Sequence, residues 1–282
     1  METAISSKKA AEYFKVNEST VKRWADSGIL KCYKTAGGHR KFRLEDLKNY
    51  ADANDQQTVS LVNIEKSTAR KQLLKDRKYS QLCSRLEKII LKGNSNSAFD
   101  FLYTLYFNKY SLEEIFDKII REVMASIGSK WEGKKLGIEN EHIATNTLVS
   151  SLQKFETVIN KKKKIKRSAV CAGPENEFHE IGLICVKITL ESEGWDVIYP
   201  GINLPFDSLN ELVNKISPDL VCLTATNIGN KKDYEKQLGV LIKNTELSGG
   251  RVLLGGSNFI TEKYNVLKCE DISNLKKQLT KI

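Results

Sequence analysis

The sequence predicts a multidomain chain: an all-α winged segment at the N-terminus, a four-helix bundle, and an α/β domain with a parallel, doubly wound, flavodoxin-like (Rossmann-type) sheet. Three observations predict it. Two short capped helical patterns precede a Gly-Gly hairpin signal before Arg43. Four helical patterns with short joins fill residues 79–160. From residue 165 onward apolar, β-rich runs alternate with helical ones, the pattern of βαβ units. The expected domains are residues 1–75, 79–160 and 165–282, as suits a chain of 282 residues.

Forty per cent of the residues are apolar, enough for real cores, and 45 Lys+Arg against 35 Asp+Glu leave a net charge of +10. That surplus favours an anionic partner such as nucleic acid. No run of about eighteen apolar residues occurs, so no membrane span is expected. The opening M-E-T-A-I-S-S-K-K lacks the apolar core of a signal peptide. Cys32, Cys83, Cys171, Cys185, Cys222 and Cys269 form no C-x-x-C pair, which argues against zinc and disulfide frameworks. Cys171 and Cys222 sit in apolar runs and read as small core residues. A reduced cytoplasmic protein is expected.

Residues 6–14 read as a short helix capped by Ser6 or Ser7. Asn17 caps a second, which stops at Gly28. Val21, Trp24 and Ala25 repeat at helical spacing and should face the core, leaving Ser19, Thr20, Lys22 and Arg23 outward. Two helices with a tight join make a helix-turn-helix, whose second helix enters the major groove. Leu30–Thr35 and His39–Arg43 can pair across Gly37-Gly38 as a hairpin wing. Its cations, with His39 at the turn, suit phosphate contacts. A helix over Leu44–Ala51 follows. This order, with its G-G-H-R-K-F string and R-L-E-D-L, resembles the winged DNA-binding domain of MerR-type transcriptional regulators. The resemblance implies double-stranded promoter DNA as partner. It places Ser19, Thr20, Lys22 and Arg23 near base edges, and Arg40, Lys41 and Arg43 on the backbone. Residues 52–78 turn polar and read as a linker.

The four middle helices are expected over Ser80–Lys92, Ser97–Asn108, Ser111–Trp131 and Ile138–Asn160. Ser111 with Glu114 has capping-box spacing. Short joins favour an antiparallel bundle. Trp131 closes the third helix, and Glu141 with His142 opens the fourth, nine residues lying between Trp131 and Glu141.

In the C-terminal segment, strands are expected over Ile165–Ala172, Trp195–Pro200, Leu220–Thr224, Arg251–Leu254 and Tyr264–Lys268. The helical patterns are His179–Ser192, Phe206–Ile216, Lys232–Lys243, Ser257–Lys263 and Ile272–Leu279. Ile181–Leu190 reads as amphipathic. The basic run Lys161–Arg167 reads as a solvated connector. Polar punctuation falls where strands end: Glu177, His179 and Gly182 after the first, Thr224 and Thr226 at the third, Gly255-Gly256 at the fourth. In a flavodoxin-like order these loops line one crevice. The glycines let a flat ligand approach the backbone, and the threonine hydroxyls can donate to a ring nitrogen. His179 can present a neutral imidazole to a metal, with Glu177 near its second nitrogen.

The spacing resembles the cobalamin-binding domains of the methionine-synthase type, which carry Asp-x-His-x-x-Gly, Ser-x-Leu and Gly-Gly in order. Here 41 residues separate Gly182 from Thr224, and 28 separate Thr226 from Gly255. Glu177 stands for the Asp, and Thr224 and Thr226 for Ser and Leu. The resemblance implies base-off cobalamin with His179 as lower axial ligand of cobalt. Trp131, Glu141 and His142 are similar to the helical cap of CarH/LitR-type light-sensing repressors, whose three-domain order also matches. That implies adenosylcobalamin as chromophore and a homotetramer that light dissolves, so the chain is expected to be a photoreceptor repressor and no enzyme. One position departs. Members of this family can cap cobalt from above with a histidine just after the Trp; here Glu132 stands there. Two other readings stay open: a regulator sensing cobalamin, redox state or another tetrapyrrole without light, and a corrinoid methyl carrier.

Overall fold

The computed structural model describes residues 4–14, 16–43, 46–47, 49–50, 74–228, 230–257, 264 and 266–280. It divides into two compact units, Met1–Lys78 and Tyr79–Ile282. The expected linker, apart from residues 74–78, and the helix expected over Ser257–Lys263, apart from Ser257, lie outside the described residues.

In the first unit, β1 (Ala4–Ser6) leads into α1 (Ser7–Tyr13), and α2 (Glu18–Asp26) follows. Ser6 caps α1 by accepting from Lys9 N–H. Asn17 holds the cap position of α2 without a side-chain bond. β2 (Tyr33–Lys34) and β3 (Arg40–Arg43) form the wing, with Gly38 at φ +75° in its turn. That left-handed conformation is what glycine supplies there. The two helices of the expected helix-turn-helix are present, but β1 pairs with β3 and completes a three-stranded antiparallel sheet, β1-β3-β2, so the unit is not all-α. Ile5, Phe42, Leu30 and Val21 are buried between sheet and helices. Trp24 packs edge-on to Phe14 and tilted against Tyr50. Of the helix expected at Leu44–Ala51, residues 46–47 and 49–50 are helical.

The second unit joins a helical half to an α/β half. The helical half comprises α3 (Tyr79–Ile90), α4 (Ser95–Phe107), α5 (Leu112–Ile115), α6 (Arg121–Glu132) and α7 (Ile138–Glu156). α5 and α6 continue one another through a π-helical turn, Phe116–Ile120. Ser111 and Glu114 close the expected capping box. Leu82, Leu86, Leu102, Leu105, Ile119, Ile127, Leu148 and Leu152 form the shared interior.

The α/β half runs β4 (Ser168–Pro174), α8 (Ile181–Ser192), β5 (Asp196–Leu204), α9 (Phe206–Ile216), β6 (Leu220–Thr224), α10 (Lys231–Leu247), β7 (Arg251–Gly255), β8 (Leu267–Cys269) and α11 (Ile272–Leu279). All pairings are parallel and the order is β5-β4-β6-β7-β8, with the chain reversing direction between β4 and β6. Val170, Ala172, Val221, Leu223, Val252 and Leu254 pack on α9 and α10. α8 is not the amphipathic helix expected: Leu183, Ile184, Cys185, Val186, Ile188 and Leu190 are all buried. A helix apolar all round is one covered on both sides. α8 contacts the sheet and also α7, and Lys187 of α8 pairs with Glu156 of α7 at 2.5 Å. Each such aliphatic side chain contributes about 1.5–3 kcal/mol when fully buried, so α8 fastens the two halves together. The basic connector is held down by ion pairs: Lys161 with Glu191, Lys162 with Glu193, Lys164 with Asp196 and Arg167 with Asp219.

Candidate functional site

Ligands of open α/β sheets bind outside the carboxyl ends of the strands, where the strand order reverses. Here that point lies between β4 and β6, and one carboxylate bridges it. Glu177, in the loop after β4, is 1% exposed. Its Oε2 accepts from Thr226 N–H at 2.5 Å and Asn227 N–H at 2.9 Å, both in the loop after β6. Its Oε1 accepts from His179 N–H at 2.9 Å and lies 2.6 Å from His179 Nδ1. The carboxylate thus staples the two loops and aims the imidazole.

The charges follow from this geometry. Burial alone would raise the Glu177 carboxyl, but bonds from the His179 ring and the N–H groups of Asn227, His179 and Thr226 outweigh it and hold it below its ordinary value. His179 is raised, chiefly by its bond to Glu177, against the effect of burial; the Glu177 and Glu141 charges add to the rise. A carboxylate only accepts, so Nδ1 carries a proton. In the neutral ring Nε2 is then the bare nitrogen, and the side chain is 61% exposed. This is the arrangement that fixes the tautomer of metal-ligating histidines. Among the described residues no cluster of three or more His, Cys, Asp or Glu could hold a bare metal ion.

The other expected residues divide. Gly182 opens on space: a Cβ there would meet nothing within 4 Å. Gly256, at φ +109°, is different. A Cβ there would lie 2.6 Å from the backbone carbonyl of Ala225, so packing within the fold requires this glycine without any ligand. A Cβ on Gly255 would make ordinary contacts. Thr224 is buried at the end of β6, and Thr226 serves through its backbone N–H. On the helical half, Trp131 is 44% exposed near the end of α6. Glu141 accepts from Thr145 Oγ1 at 2.8 Å, and its charge adds to the rise of His179. His142 and Glu132 are exposed. Phe178, 60% exposed beside His179, was not singled out by sequence; a large apolar side chain next to the histidine was the available signal.

In the first unit, Ser19, Lys22, Arg23, His39 and Arg43 are exposed while Thr20 and Lys41 are half-buried. A cavity of about 400 Å³ is lined by Lys8, Lys22, His39, Arg40 and Lys41, with Glu18 on its wall. Arg40 has a partner within the fold. It binds Asp26 at 2.5 Å and ties the wing to the end of α2. Lys22 pairs with Glu18 at 2.9 Å. Lys8, on α1, joins the cavity unforeseen.

The comparisons bear on both units. The family described as a helix-turn-helix domain matches residues 5–55, and that described as a B12 binding domain matches residues 82–154, the helical half. The chain thus pairs a segment that matches a helix-turn-helix domain with one that matches a B12 binding domain. The chain also resembles a known repressor over part of its length. It is 24% identical over 123 residues to the HTH-type transcriptional repressor CarH of Myxococcus xanthus, which spans 44% of this chain and 40% of that relative's length. In fold it is similar to a monomethylamine corrinoid protein of Methanosarcina barkeri, with a TM-score of 0.61 at 15% identity over 72% of this chain and 99% of that one. Among the described residues no helix is long and apolar enough to cross a membrane.

Proposed function

We propose that the protein is a cobalamin-sensing transcriptional regulator. The winged helix-turn-helix holds promoter DNA, and the second unit holds the cofactor. The observation that carries the reading is the Glu177–His179 pair at the switch point, in a chain whose first domain is a helix-turn-helix. His179 is the ligand from below, through Nε2, with Glu177 fixing its tautomer. Gly182, Thr224, Thr226, Gly255 and Gly256 surround the path of the nucleotide tail. The helical half is the cap, with Trp131, Glu141 and His142 facing the upper ligand. Adenosylcobalamin would be the cofactor and would supply a light-labile adenosyl group; with that group in place the chain would hold DNA as a repressor tetramer, and without it the tetramer would separate. A ligand shifts assembly only through differential affinity, and the adenosyl group under Trp131 is that difference. On the DNA side, Ser19, Thr20, Lys22 and Arg23 meet base edges; His39, Arg40, Lys41 and Arg43 meet phosphates.

The test is size-exclusion chromatography and DNA affinity of the adenosylcobalamin-loaded protein before and after green light. Assembly and affinity fall after illumination under this reading. Identical profiles with tight cobalamin binding favour a light-independent cobalamin sensor. Methyl transfer from a methyltransferase partner, with cobalt cycling between Co(I) and methyl-Co(III), would make it a corrinoid methyl carrier instead.

A further inference from the structure

Three side chains of one helix line up against the C-terminal helix. Glu113, Asp117 and Arg121 recur every four residues along α5, the π turn and α6. Four residues overrun the 3.6-residue α-helical turn, so such a stripe would drift round the helix. The π turn, bonded i to i+5, is wider and absorbs the excess at Asp117. Each member of the stripe meets its complement on α11 or just before it. Arg121 lies 3.8 Å from Asp271 and donates to Glu270 C=O at 3.5 Å. Asp117 accepts from Ile272 N–H at 2.9 Å, Ser273 N–H at 3.1 Å and Ser273 Oγ at 2.9 Å. Glu113 pairs with Lys276 at 2.7 Å.

Asp117 is 7% exposed. A buried carboxylate is costly unless bonded, and here its bonds go to the N-terminal amides of a helix in the other half of the unit. Helix N-termini favour negative charge. A slide of one turn in either direction would leave Asp117 without these donors and move Glu113 away from Lys276. The contact therefore specifies register as well as attachment.

We infer that Asp117 is a positioning residue that sets the helical half in register over the α/β half, and thereby sets how Trp131 and Glu141 stand relative to His179. This rests on the proposed reading of His179 and the helical half. Trp131 lies on the same continuous run, beyond the π turn, so a displacement at Asp117 is carried to it along α6. His179 stands on the other half. Loosening the register should therefore spare the lower face and blur discrimination of the upper ligand.

The experiment compares Asp117→Asn with the intact chain by amide hydrogen exchange without cofactor, and by binding of adenosylcobalamin and hydroxocobalamin in the dark. Exchange at Ile272 and Ser273 should accelerate about tenfold, and the affinity ratio between the two cobalamins should shrink about tenfold, the effect of one lost charge-assisted bond. The visible spectrum of the bound cofactor should stay that of the intact chain. Faster exchange with an unchanged ratio overturns the inference, as does an equal loss of affinity for both cobalamins. His179→Ala run in parallel keeps the two readings apart: normal binding by that variant defeats the site, while the exchange data still report on the latch. If Asp117→Asn does not fold, Lys276→Met carries the same test. It should lower the ratio by a smaller factor, and an unchanged ratio overturns the inference.

Discussion

Replacing Glu177 with glutamine changes one oxygen to an NH2 group and probes the centre of the site. The carboxylate accepts from three backbone N–H groups and the His179 ring. If the amide oxygen stays on His179, the new NH2 faces the Thr226 and Asn227 N–H groups, and donors meet donors. Bonds to a charged acceptor are worth about 1.5–3 kcal/mol each, so two lost bonds give about 3–6 kcal/mol as a ceiling. Thr226 is half-buried and Asn227 exposed, so water replaces much of this. A net loss of about 2 kcal/mol is expected, or about 4–8 °C in melting temperature for a unit of this size. The neutral amide oxygen also holds the His179 ring more weakly than the carboxylate does, and full loss of such a partner, about 10–100-fold in metal affinity, is the ceiling for that effect. Thermal unfolding without cofactor and an absorbance titration with cobalamin measure the two effects. A lower melting temperature with unchanged cobalamin affinity would refute the orienting role and leave Glu177 a loop staple only.

The pair also sets a pH dependence. Glu177 is depressed, so its contribution is present above the ordinary carboxyl value of 4.5 and is lost as pH falls through its lower folded value. His179 is raised above 6.5, so its contribution is full below 6.5 and is lost as pH rises through the folded value. Melting curves of the cofactor-free protein should show both limbs, and Glu177→Gln should flatten them. Asp26→Asn should weaken DNA binding although it removes a negative charge, because Arg40 then loses its anchor; tighter binding in a fluorescence-anisotropy titration would contradict this. Lys41→Ala should lower affinity across DNA sequences and reduce the salt slope by about one. Gly256→Ala should unfold at lower temperature by more than the gain of about 0.4–1 kcal/mol seen where alanine fits, since its Cβ would meet the Ala225 backbone; an unchanged melting temperature would argue against that packing.

Elements whose signal is local were legible in the sequence. β6 and α9 fall on the expected residues, because an apolar run between breakers and a one-sided apolar stripe each declare themselves within a few residues. The Ser111–Glu114 box was legible for the same reason. What was missed depends on distant partners. β1 is three residues long, too short to show a period, and exists by pairing with β3. α8 looked amphipathic because α7, which covers its second side, is not adjacent in sequence. Asp117 finds Ile272 across 155 residues, and Arg40 finds Asp26 by folding of the wing. Within the site, the spacing of Glu177 and His179 was readable. That Thr226 acts through its amide, and that Gly256 answers to Ala225, needed the packed loops.

The most direct measurement is the visible absorbance spectrum of cobalamin added to the intact protein and to His179→Ala. The intact protein should shift the cofactor to a base-off, histidine-ligated spectrum, and His179→Ala should abolish that shift with most of the binding. Identical spectra from the two proteins would contradict the assignment of His179, and with it the account of the site.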